Sequence, residues 1–436
     1  MKFLLGFADN FNKFSPYEQK KKLHSKHSYM LNSWLPQGGE NIFQKVKRER
    51  AEAEAAGKKL WLLSFGQPTG AAILTARKIA SEAVMSDAES MHEYQDNGSP
   101  GVADFARRFI AAHFDKETAK NITQAPGLDF LPTPGTKSML GLIPMACGFI
   151  RDANTRQVVN PDLQVATMTE PGYPTPAVWC DYLGVKNYAL KTTPENQFIF
   201  SLNDIQPGTK LIMANYPHNP TGQIVDKNFW RELCAYCTEH GIRLFNDVAY
   251  KILTYSEKSS TLAEVAIEFP LLSWTEAYSS SKVIANGTGW RIGAIVGSKD
   301  FMEDIRTIKG NTDSGFFAPA AAGVLACMEE DMPAIIENRD TFGRRLDHLC
   351  KLLTDRGMKL AVKPEATFFT TWLPPKNAFG EDIKCASDFN RLMIEKTGVV
   401  GIPFEPYIRY TVTNPVEEKD WTEAIANAFD QANVSY

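Results

Sequence analysis

Short apolar runs alternate with amphipathic stretches through most of this chain. Runs of large apolar residues predict strands at 164–168, 210–214, 242–246, 272–278 and 291–296. Apolar residues three and four positions apart predict helices at 71–85, 102–113, 135–149, 174–183 and 226–240. Because several of these helices lie between the strands, the pattern favours an α/β fold with a mostly parallel sheet flanked by helices.

The two ends of the chain carry different patterns. Residues 1–40 are irregular, with Lys20–Lys22 as a solvated charge run, and a helix at 41–57 and a strand at 60–65 follow. A long helical stretch at 316–355 precedes shorter elements, with strands at 359–362, 367–372 and 407–412 and helices at 385–397 and 418–432. We therefore expect an N-terminal arm with part of a small domain (1–60), a large domain (61–320) and a small α+β domain (321–436).

Composition narrows the possibilities only a little. A chain of 436 residues exceeds the usual size of a single core, which agrees with two domains, and a net charge of −4 gives no indication of a nucleic-acid partner. Seven scattered cysteines argue against a disulfide framework and favour a reducing compartment, so we expect a cytoplasmic protein. Cys234 and Cys237 have no second pair nearby to complete a zinc site, and no run approaches the roughly 20 apolar residues of a membrane span.

The most informative residue is Lys282. It ends the run Ser279-Ser280-Ser281-Lys282, and Arg291 follows shortly after in Gly289-Trp290-Arg291-Ile292-Gly293. An isolated lysine is usually a solvated surface charge. A lysine that follows small hydroxyl residues, with a guanidinium close behind, is typical of pyridoxal phosphate enzymes, in which the amine forms a Schiff base and the hydroxyls and guanidinium hold the phosphate.

Four further motifs stand in a set order around Lys282, at Pro132–Lys137, Asn215–Gly222, Asn246–Tyr250 and Tyr407–Thr411. Together they resemble the class I and II aminotransferases of the aspartate aminotransferase fold type, over about residues 60–430. The resemblance implies pyridoxal 5'-phosphate as cofactor, bound by the large domain, and a homodimer with active sites at the subunit interface. It also implies transamination between an amino acid and a 2-oxo acid, and a role in amino-acid metabolism.

The resemblance also assigns catalytic roles. It implies that Lys282 carries the cofactor and moves the substrate proton, and that Asp247 keeps the pyridine nitrogen protonated so that the ring accepts electrons. Tyr250 and Asn219 would both hydrogen-bond the phenolic oxygen of the cofactor, and Tyr173 would stack on its ring.

Phosphate binding is assigned to a second group of residues. Gly135, Thr136 and Lys137 open a predicted helix, whose free N–H groups form an anion site. Ser279 and Arg291 would add a hydroxyl and a cation. The resemblance further implies that Tyr94 reaches the phosphate of the neighbouring subunit, with Gly98 or Gly101 as the glycine of that segment.

For the substrate, the resemblance assigns the α-carboxylate to Arg409, with Asn219 and Gly66 beside it, because a planar guanidinium binds a carboxylate bidentately. The chain departs from the family pattern just before Arg409, where residues 401–408 lack the usual glycine-rich stretch. Arg291 stands nine positions after Lys282, where eight is more common. Asn215 we interpret as a plain turn residue outside the site.

Two alternatives stay open on the residues alone. The same fold hosts other pyridoxal phosphate chemistry, such as β-elimination or decarboxylation. A non-enzymatic cofactor-binding effector domain is disfavoured, because residues 1–60 are too short and not basic enough for a DNA-binding segment. No second arginine can be assigned to a distal substrate group, so the donor and acceptor are not determined.

Overall fold

Helices and strands alternate through most of the chain in the computed structural model, which describes residues 42–95, 102 and 104–436. The described helices are α1 (Ile42–Ala55), α2 (Leu74–Val84), α3 (Phe105–Ala111), α4 (Lys116–Gln124), α5 (Met139–Ala146), α6 (Thr175–Leu183), α7 (Lys227–His240), α8 (Leu262–Ala266), α9 (Lys299–Lys309), α10 (Ala318–Glu330), α11 (Met332–Thr354), α12 (Ala386–Thr397) and α13 (Lys419–Ala432).

The described strands are β1 (Trp61–Leu62), β2 (Leu128–Thr133), β3 (Gln164–Thr167), β4 (Lys186–Ala189), β5 (Leu211–Ala214), β6 (Arg243–Asp247), β7 (Trp274–Ser279), β8 (Gly293–Ser298), β9 (Leu360–Val362), β10 (Phe369–Trp372), β11 (Asn377–Ala378), β12 (Glu381–Asp382), β13 (Val399–Val400), β14 (Ile402–Phe404) and β15 (Tyr407–Thr411).

The largest sheet has seven strands in the order β2-β8-β7-β6-β5-β3-β4. Strands β3 to β7 pair in parallel, while β8 runs antiparallel to both of its neighbours. Side chains alternate between two hydrophobic clusters, so Leu211 and Met213 pack on one side of β5 and Ile212 and Ala214 on the other. A parallel sheet buried on both faces is the expected α/β arrangement, and this part of the fold prediction is confirmed.

A second sheet of four antiparallel strands, β14-β15-β10-β9, is built from the C-terminal part of the chain. It packs its apolar side chains against α11, α12 and α13 in a cluster that includes Trp372, Tyr410 and Phe429. β1 pairs in parallel with β13, which brings Trp61 opposite Val399. The expectation of a smaller α+β region is confirmed, whereas the boundaries at residues 60/61 and 320/321 stay a prediction.

Several predicted helices have shorter bounds in the structure, for example α2 (Leu74–Val84) for 71–85 and α3 (Phe105–Ala111) for 102–113. Two of the differences have a clear local reason. The stretch 316–355 divides at Asp331 into α10 and α11, because Pro333 has no N–H to donate and is favoured in the first turn of a helix. Helix α5 begins at Met139 instead of residue 135, since Gly135 has φ +82°, a backbone conformation outside the helical region.

Some predictions fall on parts of the chain outside the described residues. These are the irregular segment 1–40 with Lys20–Lys22, and Gly98 and Gly101 after Tyr94. Among the described helices, none is long and apolar enough to cross a membrane.

Candidate active site

The carboxyl ends of β5, β6 and β7 bring several predicted site residues together. Asp247 is the last residue of β6, whereas the sequence pattern placed it just after the strand, and it pairs in register with Ala277 of β7. Lys282 ends a short 3₁₀ turn after β7, in which Ser279 Oγ accepts a hydrogen bond from the Ser281 N–H at 3.2 Å. The Lys282 Nζ lies 5.8 Å from the centre of the Tyr250 ring. In open α/β sheets this edge is where ligands bind.

The amine of Lys282 is unusually acidic for a lysine. Burial lowers its pKa to about 8, against the attraction of Asp247, and the positive charges of Arg291 and Arg409 lower it further. A fraction of the amine is therefore neutral, and so nucleophilic, near neutral pH.

Asp247 is a buried carboxylate beside that amine. Burial raises its pKa to about 6, while the Ala249 N–H at 3.2 Å, the charge of Lys282 and the hydroxyl of Thr136 oppose the rise. The group is mostly negative above pH 6, so it can hold a proton on a neighbouring base.

Arg409 is the most unusual charge in the site. Its side chain is 1% exposed, and its guanidinium carbon lies 4.2 Å from the centre of the Phe369 ring and 4.8 Å from that of Phe404. Nη1 donates to Asn219 Oδ1 at 2.8 Å and Nη2 to the Ser64 carbonyl at 3.4 Å, while Nε has no partner in the described structure.

Within the described residues, Arg409 forms no ion pair with an acidic side chain. Burial lowers its pKa to about 10, with Tyr250 opposing the fall. Gly66 lies next to this guanidinium, since a Cβ built on it would be 3.9 Å from Nη2. A buried cation with spare donors and no counter-charge is a site for an anionic ligand.

Tyr250 lies near both Lys282 and Arg409. Its side chain is buried, and its ring centre is 5.9 Å from that of Phe368 and 5.4 Å from that of Phe369. Burial raises the pKa of its hydroxyl, an effect that Arg409 opposes. The phenol therefore remains protonated and can donate a hydrogen bond.

Arg291 and Gly135 form a second place for an anion. Arg291 is exposed, with φ +58°, and donates to the Thr288 carbonyl at 2.9 Å and the Pro134 carbonyl at 3.1 Å. A Cβ on Gly135 would lie 2.4 Å from Arg291 Nη2, so only glycine leaves room for the guanidinium. The N–H groups of residues 136–138 precede the first hydrogen bond of α5, in which Met139 donates to the Thr136 carbonyl, and they have no acceptor in the described structure.

Three further predicted residues, Lys137, Tyr173 and Tyr94, make fewer contacts with the rest of the site. Lys137 is exposed, and its Nζ lies 5.9 Å from the centre of the Tyr173 ring. Tyr173 lines a cavity with Asn215 and Asp247 at the strand ends. Tyr94 is 80% exposed, and none of the contacts described above for this chain involves it.

Comparison with known proteins identifies the family. The family model for aminotransferase class I and II matches residues 58–426. The chain belongs to the class I and II aminotransferases. It is 28% identical over 407 residues to LL-diaminopimelate aminotransferase of Methanocaldococcus jannaschii, covering 89% of this chain and 91% of that one.

Solved structures of other proteins share the fold of this one. Substrate-bound BacF of Bacillus subtilis gives a TM-score of 0.78 at 20% identity, covering 93% of this chain and 99% of that one. An aspartate aminotransferase variant of Thermus thermophilus gives 0.73 at 20% identity, covering 91% and 100%.

These findings confirm the predicted activity and cofactor. The aminotransferase is a pyridoxal-phosphate-dependent transaminase that acts on amino acids and 2-oxo acids. Its residues fit that cofactor. A glycine-lined cradle with free N–H groups and Arg291 suits the phosphate, a lysine of lowered pKa suits the aldehyde, and a buried carboxylate suits the ring nitrogen. The described residues contain no group of three or more acidic, His or Cys side chains that could hold a metal ion.

Asn215, interpreted as a plain turn residue, makes contacts that the sequence did not reveal. Its Nδ2 donates to the Asp247 carbonyl at 2.7 Å, and its Oδ1 accepts from the Asn219 N–H at 3.1 Å. It therefore joins two of the predicted site residues. The available signal was spacing, since Asn215 and Asn219 stand four apart in a loop that also contains Pro217 and Pro220.

Proposed function

We propose that the aminotransferase binds the α-carboxylate of its amino-acid substrates at Arg409 and carries out the proton transfer with Lys282. The observation that carries this assignment is the buried guanidinium, which has unused donors and no acidic partner in the described structure. A carboxylate is the anion that every amino-acid substrate brings, and a planar guanidinium can bind it bidentately.

The remaining residues divide the work around Lys282. Asn219 orients Arg409 through their 2.8 Å hydrogen bond. Tyr250, whose ring centre is 5.8 Å from Lys282 Nζ, would donate a hydrogen bond to the phenolic oxygen of the cofactor. Bound pyridoxal phosphate supplies an electron sink for the pair left when the α-proton is removed. Asp247 would keep the pyridine nitrogen protonated. Lys282 Nζ would accept the α-proton as a base and deliver it to the cofactor carbon that comes to carry the amino group, and the second half of the transfer would move the proton in reverse.

Phosphate binding is assigned to the cradle between α5 and β8. Gly135, Thr136 and Lys137 would offer backbone N–H groups, Ser279 its hydroxyl and Arg291 its guanidinium. Support comes from the close fit of Arg291 over Gly135. Tyr173 would cover one face of the ring from its place in the cavity with Asp247.

We also infer a homodimer in which Tyr94 reaches the partner's phosphate. Tyr94 is 80% exposed and Phe317 58%, and a backbone bridge from Gln95 to Gly315 holds their segments side by side. Leu74 and Met85 are exposed as well, at 65% and 80%. Large exposed apolar side chains of this kind indicate a protein interface. Light scattering should give the mass of a dimer, and a stable monomer with full activity would contradict the assignment.

For the compartment we keep the prediction of the cytoplasm. All seven cysteines are free thiols, and burial raises the pKa of most of them, including Cys147, Cys234 and Cys237. Unreactive, unpaired thiols suit a reducing environment.

An amino-donor screen tests the proposed function. The purified holoenzyme is incubated with single amino acids and 2-oxoglutarate, and the new amino acid is measured. Because relatives are LL-diaminopimelate aminotransferases, LL-diaminopimelate is included in the screen beside glutamate, alanine and aromatic amino acids. Transfer of the amino group with a stoichiometric 2-oxo acid is expected. Release of free ammonia or carbon dioxide as the main product would contradict it.

A further inference from the structure

A buried polar network lies directly behind the site. Glu276 in β7 and Asn246 in β6 face each other across paired strands, and both are fully buried. Glu276 Oε1 accepts from Asn246 Nδ2 at 2.7 Å and from the Leu262 N–H at 2.9 Å. Its Oε2 accepts from the Ala263 N–H at 2.9 Å and the Tyr278 hydroxyl at 2.7 Å. With four donors around it, this carboxylate is a fixed point in the core.

Asn246 connects this fixed carboxylate to the loop that follows β5. Its Oδ1 accepts from the Tyr216 N–H at 3.0 Å, and its Nδ2 donates to the Tyr216 carbonyl at 3.1 Å. One side-chain amide thus holds both backbone polar groups of a buried residue. The same Nδ2 also donates to Glu276, so the carboxylate fixes which way the amide points.

The clamped residue adjoins the contacts that hold the substrate arginine. Asn215, next to Tyr216, donates to the carbonyl of Asp247 and accepts from the N–H of Asn219. Asn219 in turn accepts from Arg409 Nη1 at 2.8 Å. Two consecutive residues of β6 therefore hold two consecutive residues of the loop, and the loop ends in the contact that orients Arg409.

We propose that Asn246, fixed by Glu276, is a positioning residue for the substrate carboxylate: it sets the loop 215–219 and thereby the direction of the Arg409 guanidinium. The proposal rests on the proposed function, because it takes Arg409 as the carboxylate-binding group. Asn246 touches neither substrate nor cofactor in this scheme, so its effect appears in binding and not in the chemical step.

The test compares two probes that each carry half of an amino acid. Butyrate has a carboxylate and no amino group, and propylamine has an amino group and no carboxylate. Calorimetry on the holoenzyme measures both dissociation constants in wild type and in Asn246→Ala. Since small misplacements of a binding group are costly, butyrate should bind roughly five- to tenfold more weakly, and propylamine should change less than about twofold. For amino acids, KM should rise by a similar factor while kcat changes less.

Two further variants separate positioning from general damage. Thr275→Val removes a buried hydrogen bond from Thr275 to the Val296 carbonyl at 3.1 Å, one residue from Glu276 on the opposite face of β7. Thr275→Val should leave the ratio of the butyrate dissociation constant to the propylamine dissociation constant at the wild-type value. Glu276→Gln brings an amide N–H against other donors and loosens Asn246, so it should reproduce the shift of the ratio in smaller size. It keeps the test usable where Asn246→Ala does not fold.

Each outcome is decisive. If Asn246→Ala and Glu276→Gln weaken both probes equally, or neither probe, the positioning role is overturned. If Thr275→Val shifts the ratio as much, the effect is general strand damage and the role is likewise overturned. Arg409→Lys serves as reference: if it leaves butyrate binding unchanged, the proposed function of Arg409 fails. If Arg409→Lys weakens butyrate and Asn246→Ala does not, only the further inference fails.

Discussion

Arg409 and Arg291 both lower the pKa of Lys282, but the protein surrounds them differently. Arg409 lies on a strand of the small sheet, buried between the rings of Phe369 and Phe404. Arg291 lies exposed after a 3₁₀ turn, with its backbone at φ +58° and its guanidinium held by two carbonyl groups.

The difference shows how each cation is maintained. Burying an uncompensated charge costs several kcal/mol, so the position of Arg409 depends on its packing, on Asn219 and, under the proposed function, on the substrate carboxylate. Arg291 is exposed to solvent, so its charge carries little desolvation cost. Its position is set by the backbone geometry that places its guanidinium over Gly135. We expect substitutions to be costly at the buried cation and mild at the exposed one.

The largest effect is expected at Lys282, whose pKa both arginines lower. Lys282→Ala removes the attachment point and the base together, so turnover should fall by about a thousandfold or more while the protein stays folded. Borohydride reduction followed by peptide mapping should place the cofactor on Lys282 in the wild type. Lys137→Ala, which changes an exposed lysine, is the matched control and should retain the attachment. Labelling of a different lysine would refute the assignment.

Asp247→Asn should come next in size. The amide keeps the shape and can still accept from the Ala249 N–H, but it lacks the charge that holds a proton on the ring nitrogen. Loss of one preorganised electrostatic contact in an active site lowers turnover by roughly 10²- to 10³-fold. Pre-steady-state kinetics should show the loss in the chemical step. A rate near that of wild type would make Asp247 a structural strand-end residue.

A measurement of the Lys282 pKa reports the effect of both arginines. In cofactor-free protein, the rate of covalent attachment of pyridoxal phosphate should rise with pH through a midpoint near 8, because only the neutral amine attacks. At pH 7 roughly a tenth of the amine is neutral, against less than about a thousandth for an ordinary lysine. Arg409→Gln and Arg291→Gln each remove a cation that lowers this pKa, so each should move the midpoint upward. A midpoint near 10 in the unmodified protein would contradict the expectation.

Arg409→Lys tests the buried side of the comparison. Lysine keeps the charge but loses the bidentate geometry, and a charged hydrogen bond contributes about 1.5–3 kcal/mol, so KM should rise about tenfold or more. The loss should be similar for every amino acid, because the α-carboxylate is common to all. A loss confined to one amino acid would show that Arg409 binds a substrate side chain.

Arg291→Lys tests the exposed side and should have the smallest effect. An exposed cation contributes about 0–1 kcal/mol, so the dissociation constant of pyridoxal phosphate should rise by no more than about fivefold. Equilibrium dialysis of the holoenzyme measures it. An effect larger than that of Arg409→Lys on KM would reverse the comparison and show that backbone placement, not burial, makes a cation costly to replace.

The sequence predicted five of the seven strands of the large sheet, because those strands are short apolar runs between amphipathic helices, and it missed β2 and β4. Strands β5, β6 and β7 were located to within about two residues, and their carboxyl ends were expected to carry the site. At two of the places where the predicted bounds were wrong, the start of α5 and the break between α10 and α11, one glycine and one proline decided the backbone locally.

Contacts made over long distances in the sequence were not available to that reasoning. Asn215 was interpreted as a turn residue because the residues next to it in the sequence indicate only a turn. In the structure it donates a hydrogen bond to the carbonyl of Asp247, which lies 32 positions away. The clamp of Asn246 on Tyr216 spans 30 positions, and Glu276 is 30 positions further. No spacing rule relates such pairs, since strand order in the sheet decides which loops meet.

The sequence by itself therefore determined the family and the cofactor, because these depend on motifs whose residues are close in the chain, and for the same reason it singled out Lys282 as the predicted reactive lysine. Only the tertiary structure decided the state of the charges. It buries Arg409 with no acidic partner in the described part of the chain, lowers the pKa of Lys282 to about 8 and raises that of Asp247 to about 6. The physical reason is desolvation, which depends on what the folded chain packs around a group and not on the residues beside it in sequence.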